Sequence, residues 1–230
     1  MLRLGRFVAR LIVLLTAPVV ALALLYRWVN PPFTPLMVLR TFQVRAASRS
    51  SAIANDWVPL ERISPALIRA VVVAEDGNFF HHHGVDWDAL QRALDYNAHH
   101  GGKPLRGAGT ITMQCARNVF LWPGRSYLRK ALEIGLAHVL ELLWGKRRIL
   151  EVYLNVIEWG DGVFGIEAAA QRSFGVHAAQ LDAHSAALLA AVLPDPRRWN
   201  PTRPGPYVQA RAALIQARST RLSPAPPLRR

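Results

Sequence analysis

Cysteine is almost absent from this 230-residue chain. Cys115 stands alone, so no disulfide can close within the chain and no zinc site built on paired cysteines can form. Lysine is scarce as well, with Lys103, Lys130 and Lys146 the only three. Acids are few: 15 Asp and Glu face 28 Lys and Arg, a formal net charge of +13 carried mostly by arginine. That balance draws a chain toward polyanions and leaves nucleic acid, anionic lipid headgroups and phosphorylated substrates open as partners, with a solvated basic surface as the plain alternative. No stretch alternates apolar and polar residues over a strand's length, and no internal repeat is visible. The domain is therefore expected to be mainly α.

Apolar residues, by contrast, make up 51% of the chain and crowd its N-terminus. From Leu11 to Tyr26 only Thr16 and Pro18 interrupt the run. Extended to Phe7 and Val29, it is long enough to cross about 30 Å of hydrocarbon, with Arg10 and Arg27 snorkelling at its ends. A cleaved signal peptide is the competing reading, but no small-x-small site precedes a polar mature start. Arg3, Arg6 and Arg10 before the run point to a cytoplasmic N-terminus. The expected organisation is a cytoplasmic N-terminus and signal anchor over 1–30, a connector over 31–60, a folded domain over 61–222 and a disordered tail over 223–230. Pro31, Pro32 and Pro35 end the anchor and open the connector, which should be extended to about Pro59.

Helix signals then follow one another. Ser64 and Pro65 begin a buried helix through ALIRAVVVAED, and Asp86 caps WDALQRALDYN. The loop HHGGKPLRGAG leads to a short helix near Thr110. Ser126 caps YLRKALEIGLAHVLELLW, which Gly145 ends. KRRILEVYLNVIEW reads as one helix, and the turn WGDGVFG separates it from IEAAAQRSFG. Asp182 opens SAALLAAVL, stopped by Pro194 and Pro196, and Tyr207 to about Leu222 is a last amphipathic helix.

The chemistry centres on Glu75 and Asp76. Two acids end an apolar run, Val71 to Ala74, at the C-terminal end of a helix, where both the helix dipole and the apolar surroundings raise a carboxyl pKa. A group so placed can exchange a proton near neutrality. The bland alternative is a pair of acids leaving a buried helix for solvent.

The residues that follow carry a resemblance. EDGNFFHHHGVD is similar to the first signature of the peptidoglycan glycosyltransferases, matched by Glu75, Asp76, Phe79, His82, Gly84 and Asp86. RGAGTITMQCARN resembles the second signature at Gly107, Thr110, Gln114 and Asn118. Arg129, Lys130 and Glu133 match the third, Arg-Lys-x-x-Glu. Lys146, Ile149, Leu150, Glu151, Tyr153, Leu154 and Asn155 complete the fourth, and GDGVFGIEAAAQRSFG resembles the fifth. The likeness is to the stand-alone form, because no Ser-x-x-Lys or Lys-Thr-Gly motif of a transpeptidase occurs.

The resemblance implies a two-lobed, lysozyme-like glycosyltransferase domain preceded by one transmembrane helix, at the periplasmic face of a bacterial inner membrane. The implied substrates are lipid II and the nascent glycan strand on undecaprenyl diphosphate. Glu75 would be the base, tuned by Asp76, and Glu133 the second catalytic acid. Arg117, Arg129 and Lys130 would face the diphosphate. Phe79, His82, Thr110, Gln114 and Asn118 would complete substrate binding. Glu133 could orient Arg129 or hold a divalent cation, Mg2+ or Mn2+; no organic cofactor is implied. Partners would be the membrane and cell-division or other wall-synthesis proteins, not nucleic acid. Three consecutive histidines, His81 to His83, do not suit one metal ion, because adjacent side chains on a turn rarely converge.

Three departures from the family's pattern stand out: Gly109 replaces a usual serine, Met113 a usual glutamine and Arg117 a usual lysine. Arg117 keeps the charge, whereas Gly109 and Met113 each lose a polar group. A lytic transglycosylase or lysozyme-like muramidase and a catalytically weak wall scaffold remain as alternatives.

Overall fold

The computed structural model describes residues 2–46, 53–100, 107–124 and 126–221. It is mainly helical, as expected. Polar caps start the helices where the sequence places them. Ser64 Oγ accepts from the amide of Ala66 and donates to the carbonyl of Leu181 at 2.6 Å, starting α3 (Pro65–Glu75). Asp86 caps α4 (Trp87–His99), Thr110 caps α5 (Ile111–Phe120), Ser126 caps α6 (Tyr127–Leu143) and Asp182 caps α9 (Ala183–Val192). Each such cap is worth about 1 kcal/mol. Gly145, at φ +70°, breaks α6 from α7 (Gly145–Val156).

α9 is apolar on nearly every side and forms the centre of the core, packed between α3 and α10 (Pro206–Ser219). α5 packs against both α6 and α7, and α8 (Ile166–Phe174) closes the body from the far end of α7. A small separate cluster of Val85, Met113 and Ala137 lies where α5 and α6 meet the loop before α4. The two acids at the end of α3 are thus faced by α5, α7 and α10.

Two local expectations are corrected. The stretch after Pro31 is not extended, because Pro35–Ala46 forms a helix, α2, whose entry repeats the logic of α3. Thr34 Oγ1 accepts the amide of Met37, and Pro35 sits at the first helical position. The helix through 146–159 stops at Val156, after which Glu158–Gly160 (β2) and Val163–Phe164 (β3) form a hairpin. β3 also pairs in parallel with Ala54–Asn55 (β1), giving a three-stranded sheet in the order β1-β3-β2. Strands of two and three residues are too short to leave an alternation in sequence. Gly165, at φ +77°, holds this corner together: a Cβ there would meet the carbonyl oxygens of Asn155 and Asp56 at 3.1 and 3.2 Å, so no side chain fits.

The N-terminal α1 spans Leu2–Leu25 and its end is seated on the body. Trp144 Nε1 donates to the carbonyl of Ala23 at 2.6 Å, and Arg148 donates to the carbonyls of Tyr26 and Val29 at 3.0 and 2.9 Å. Among the described residues no helix is long and apolar enough to cross a membrane. Part of the apolar run, the loop over 101–106 and the tail from 222 onward lie outside the described side chains. The last helix ends at Ser219, slightly before the expected Leu222.

Candidate active site

Glu75 is the last residue of α3, and its side chain is 14% exposed. Gln114 Nε2 donates to its Oε2 at 2.9 Å, and the Gln114 oxygen in turn accepts from the Tyr153 hydroxyl at 3.2 Å. The amide is thereby fixed between α3 and α7. Arg211, from α10, brings its guanidinium to 3.6 Å from the other carboxylate oxygen and to 3.4 Å from the carbonyl of Ala74. Burial raises the Glu75 pKa above its ordinary 4.5. The Gln114 hydrogen bond and then the charges of Arg211 and Arg117 pull the other way, while Asp76 adds to the rise. Burial, followed by the charge of Glu75, likewise holds the Tyr153 hydroxyl well above its usual range, so it remains a donor.

Asp76 has partners of its own and ties two signatures together. Its Oδ2 accepts from the amide of Ile111, at the start of α5, at 2.9 Å, and His82 Nε2 lies 2.9 and 3.0 Å from its two oxygens. Phe79 is fully buried and offers its ring to the ammonium of Lys146 at 4.5 Å. Lys146 also donates to Glu141 at 2.6 Å, and Glu141 accepts from Thr112 at 2.7 Å. Burial lowers the Lys146 pKa, against the pull of Glu141. Thr110 is buried, with its hydroxyl donating to the carbonyl of Gly84 at 2.6 Å and accepting from the amide of Met113. Asn118 donates to the carbonyl of Gln114 at 2.8 Å. Asp76, Phe79, Thr110 and Asn118 therefore surround and brace the site through contacts already made.

A second cluster sits on the first turns of α6. Arg129 and Glu133, both buried, are paired through Nη1, and the Lys130 ammonium lies 3.4 Å from the other Glu133 oxygen. Arg129 Nε is buried without a partner among the described residues. Both oxygens of Glu133 are engaged by cations, and among the described residues no group of three ligating side chains is placed to hold a metal ion. Arg117 lies half-buried on α5, with its charge felt at Glu75. α5 links the two acids, since its Gln114 contacts Glu75 and the helix packs on α6, which carries Glu133.

The departures from the family pattern now have a physical reading. Met113 is 1% exposed in the small cluster with Val85 and Ala137, so an amide there would face apolar side chains rather than a substrate. Gly109 does not adopt a positive φ, and a Cβ on it would meet only Lys130 Nζ, at 3.9 Å. Gly109→Ser is therefore expected to leave the melting temperature unchanged and to place a hydroxyl beside Lys130. A kcat/KM that rises, by about tenfold or more for a hydrogen bond to a charged group, is the expected outcome. A clear fall would show that the glycine backbone itself is required. His81 and His83 are exposed while His82 turns inward to Asp76, so the three histidines diverge.

Sequence reasoning missed Arg211 altogether, because an arginine on an amphipathic C-terminal helix carries no local mark. Tyr153 and Lys146 lay inside the fourth signature but had no role assigned to them. The signal was there: Tyr153 is the polar residue among Ile149, Leu150 and Leu154 on a buried helix.

A carboxyl whose pKa is raised by burial, with a basic cluster on a nearby helix, suits proton exchange beside an anionic group. The chain belongs to the transglycosylase family, whose pattern matches residues 43–220. It is 54% identical to the biosynthetic peptidoglycan transglycosylase of Rhodospirillum centenum over 94% of this chain and 90% of that protein. The proteins of the same name from Caulobacter vibrioides and Stutzerimonas stutzeri are 48% and 47% identical, over 92% and 93% of this chain and 92% and 88% of theirs.

Proposed function

We propose that this chain polymerises peptidoglycan glycan strands, with Glu75 as the general base. The observation that carries the reading is the buried Glu75 carboxyl, its pKa raised by burial and its geometry held by Gln114 and Tyr153. In the reaction the 4-hydroxyl oxygen of lipid II attacks the anomeric carbon of the strand, the carbon–oxygen bond to undecaprenyl diphosphate breaks, and the hydroxyl proton passes to Glu75. Attack opposite the leaving group converts an α linkage to β. The departing diphosphate needs cations that cost no reorganisation; Arg129, Lys130 and Arg117 supply them, and Glu133 keeps the first two aligned. A divalent cation reaching Glu133 would arrive on the diphosphate and displace one of these partners. The cleft would run between a large lobe, the core around α9, and a smaller one around Val85, Met113 and Ala137.

Membrane attachment belongs to the same proposal. The apolar run from Leu11 to Tyr26 supports α1 as a single-pass anchor, with the domain on the periplasmic side of the inner membrane, where lipid II and other wall-synthesis proteins would meet it.

The test is the full-length protein incubated with lipid II, with and without Mg2+. Long strands that muramidase digests support the reading; shortening of preformed strands would instead reveal a lytic enzyme. The pH profile adds a second check. Glu75 binds its proton more tightly in the folded chain than in the unfolded one. Ionising it therefore costs folding free energy, with the cost absent below 4.5 and complete above the raised value. Activity should be lost as pH falls through that raised value, so the acid limb of kcat/KM is expected to have its midpoint above 4.5, and Glu75→Gln should abolish the limb.

A further inference from the structure

α2 is built inside out. Its inward face carries Arg40, 4% exposed, whose guanidinium is held by Glu158, Gln43 and Asp161, together with Met37 and Thr41. Its outward face carries Val38, Leu39 and Phe42, spaced as one side of a helix, with Phe42 64% exposed. The turn leading into it exposes Trp28 at 73% and Phe33 at 63%, and the Arg27 guanidinium rests 5.1 Å over the Trp28 ring. A helix that buries its arginine and exposes its phenylalanine is not adapted to water on that side.

Charge identifies what covers the face. No Asp or Glu precedes Asp56, and of the seven arginines that do, Arg3, Arg6 and Arg10 lie before the anchor and Arg40 is buried, which leaves Arg27, Arg45 and Arg49 on the α2 side. That imbalance suits a phosphate surface. Geometry fixes its height. Trp144 and Arg148 tie Ala23, Tyr26 and Val29 to the corner between α6 and α7, and Arg148 also donates to the Asn30 side chain at 2.9 Å. α2 therefore cannot swing independently of the end of α1. If α1 ends at the membrane surface, α2 is held there too.

We propose that α2 and the turn before it form a second, interfacial membrane contact. Phe33, Val38, Leu39 and Phe42 would lie among the upper acyl chains of the leaflet from which α1 emerges, with Arg27 and Trp28 at the headgroups. The proposal rests on the anchor reading of α1. The domain is then gripped at two points, which sets its orientation as well as its tether.

The experiment uses the full chain in nanodiscs containing phosphatidylglycerol. Phe42→Cys is labelled with an environment-sensitive fluorophore; the native thiol, Cys115, is fully buried and does not compete. Val20→Cys, on α1, is labelled in parallel. The expected result is a blue-shifted emission from residue 42 that lipids carrying a nitroxide near the headgroup quench, and quenching of residue 20 by deeper nitroxides. A water-like label at 42 with a quenched label at 20 overturns the proposal while the anchor stands, and leaves the α2 face to a protein partner. Quenching at 42 alone upholds the interfacial contact and removes the anchor. Water-like labels at both positions overturn both.

Discussion

Glu75→Gln is expected to lower glycan polymerisation by about 10²–10⁴-fold, the usual contribution of a positioned general base. The substitution keeps volume and shape. Its amide oxygen can still accept from Gln114 Nε2, which now donates to Glu75 at 2.9 Å, so the link through Gln114 to Tyr153 survives. Arg211 loses its counter-charge at 3.6 Å, but that arginine is partly open to solvent and the pair is weak. Folding stability should therefore stay within about 1 kcal/mol of wild type, as for a substitution that creates no cavity and strands no buried charge. Two measurements decide the matter: turnover on lipid II, and a thermal melt of the same preparation. A variant that melts normally and retains more than about a tenth of wild-type turnover rules Glu75 out as the base. Loss of activity together with loss of the fold would point to a structural carboxylate, which the Gln114 geometry argues against.

Much of the helical scaffold around this site was legible in the sequence, for an identifiable reason. Helix starts are written in single residues: Ser64, Asp86, Ser126 and Asp182 each cap the helix that sequence assigned to them, and Thr110 caps the short helix expected to start near it. The end of α3 at Glu75 followed from an apolar run meeting two acids. What could not be read were contacts between segments distant in the chain. Asp76 works by accepting the amide of Ile111, 35 residues away, and Arg211 reaches the carbonyl of Ala74 across 137. α2 is a different case. Thr34 and Pro35 carry the same cap-and-proline signal as Ser64 and Pro65, but Pro31 and Pro32 made the stretch look like a linker. Its apolar positions also face outward, so the pattern of a helix packed on a core was missing. The hairpin after α7 was hidden by brevity alone, since β2 and β3 hold three and two residues.

Glu133→Ala should be the most destabilising change near the site. Arg129 is 7% exposed, its Nε has no partner among the described residues, and Glu133 accepts from its Nη1. Removing that acid leaves a buried, uncompensated guanidinium with Lys130 beside it, at a cost of about 3–5 kcal/mol. For a domain of this size each kcal/mol moves the melting temperature by roughly 2–4 °C, so a loss of ~10 °C is expected, and polymerisation would fail for want of folded protein. The single variant therefore cannot separate pairing from catalysis. Arg129→Met combined with Glu133→Leu can. Replacing both members of a buried pair by apolar residues of similar volume is often neutral or stabilising, so the double variant should melt near or above wild type. If Arg129 meets the diphosphate, polymerisation stays at least about a hundredfold down, the scale of losing one preorganised charge at a leaving group. The buried Arg129 Nε, without a partner among the described residues, favours this outcome, because a phosphate oxygen can take up such a donor. A double variant that is both stable and active would reduce Arg129 and Glu133 to a packing pair and leave Arg117 and Lys130 to hold the diphosphate.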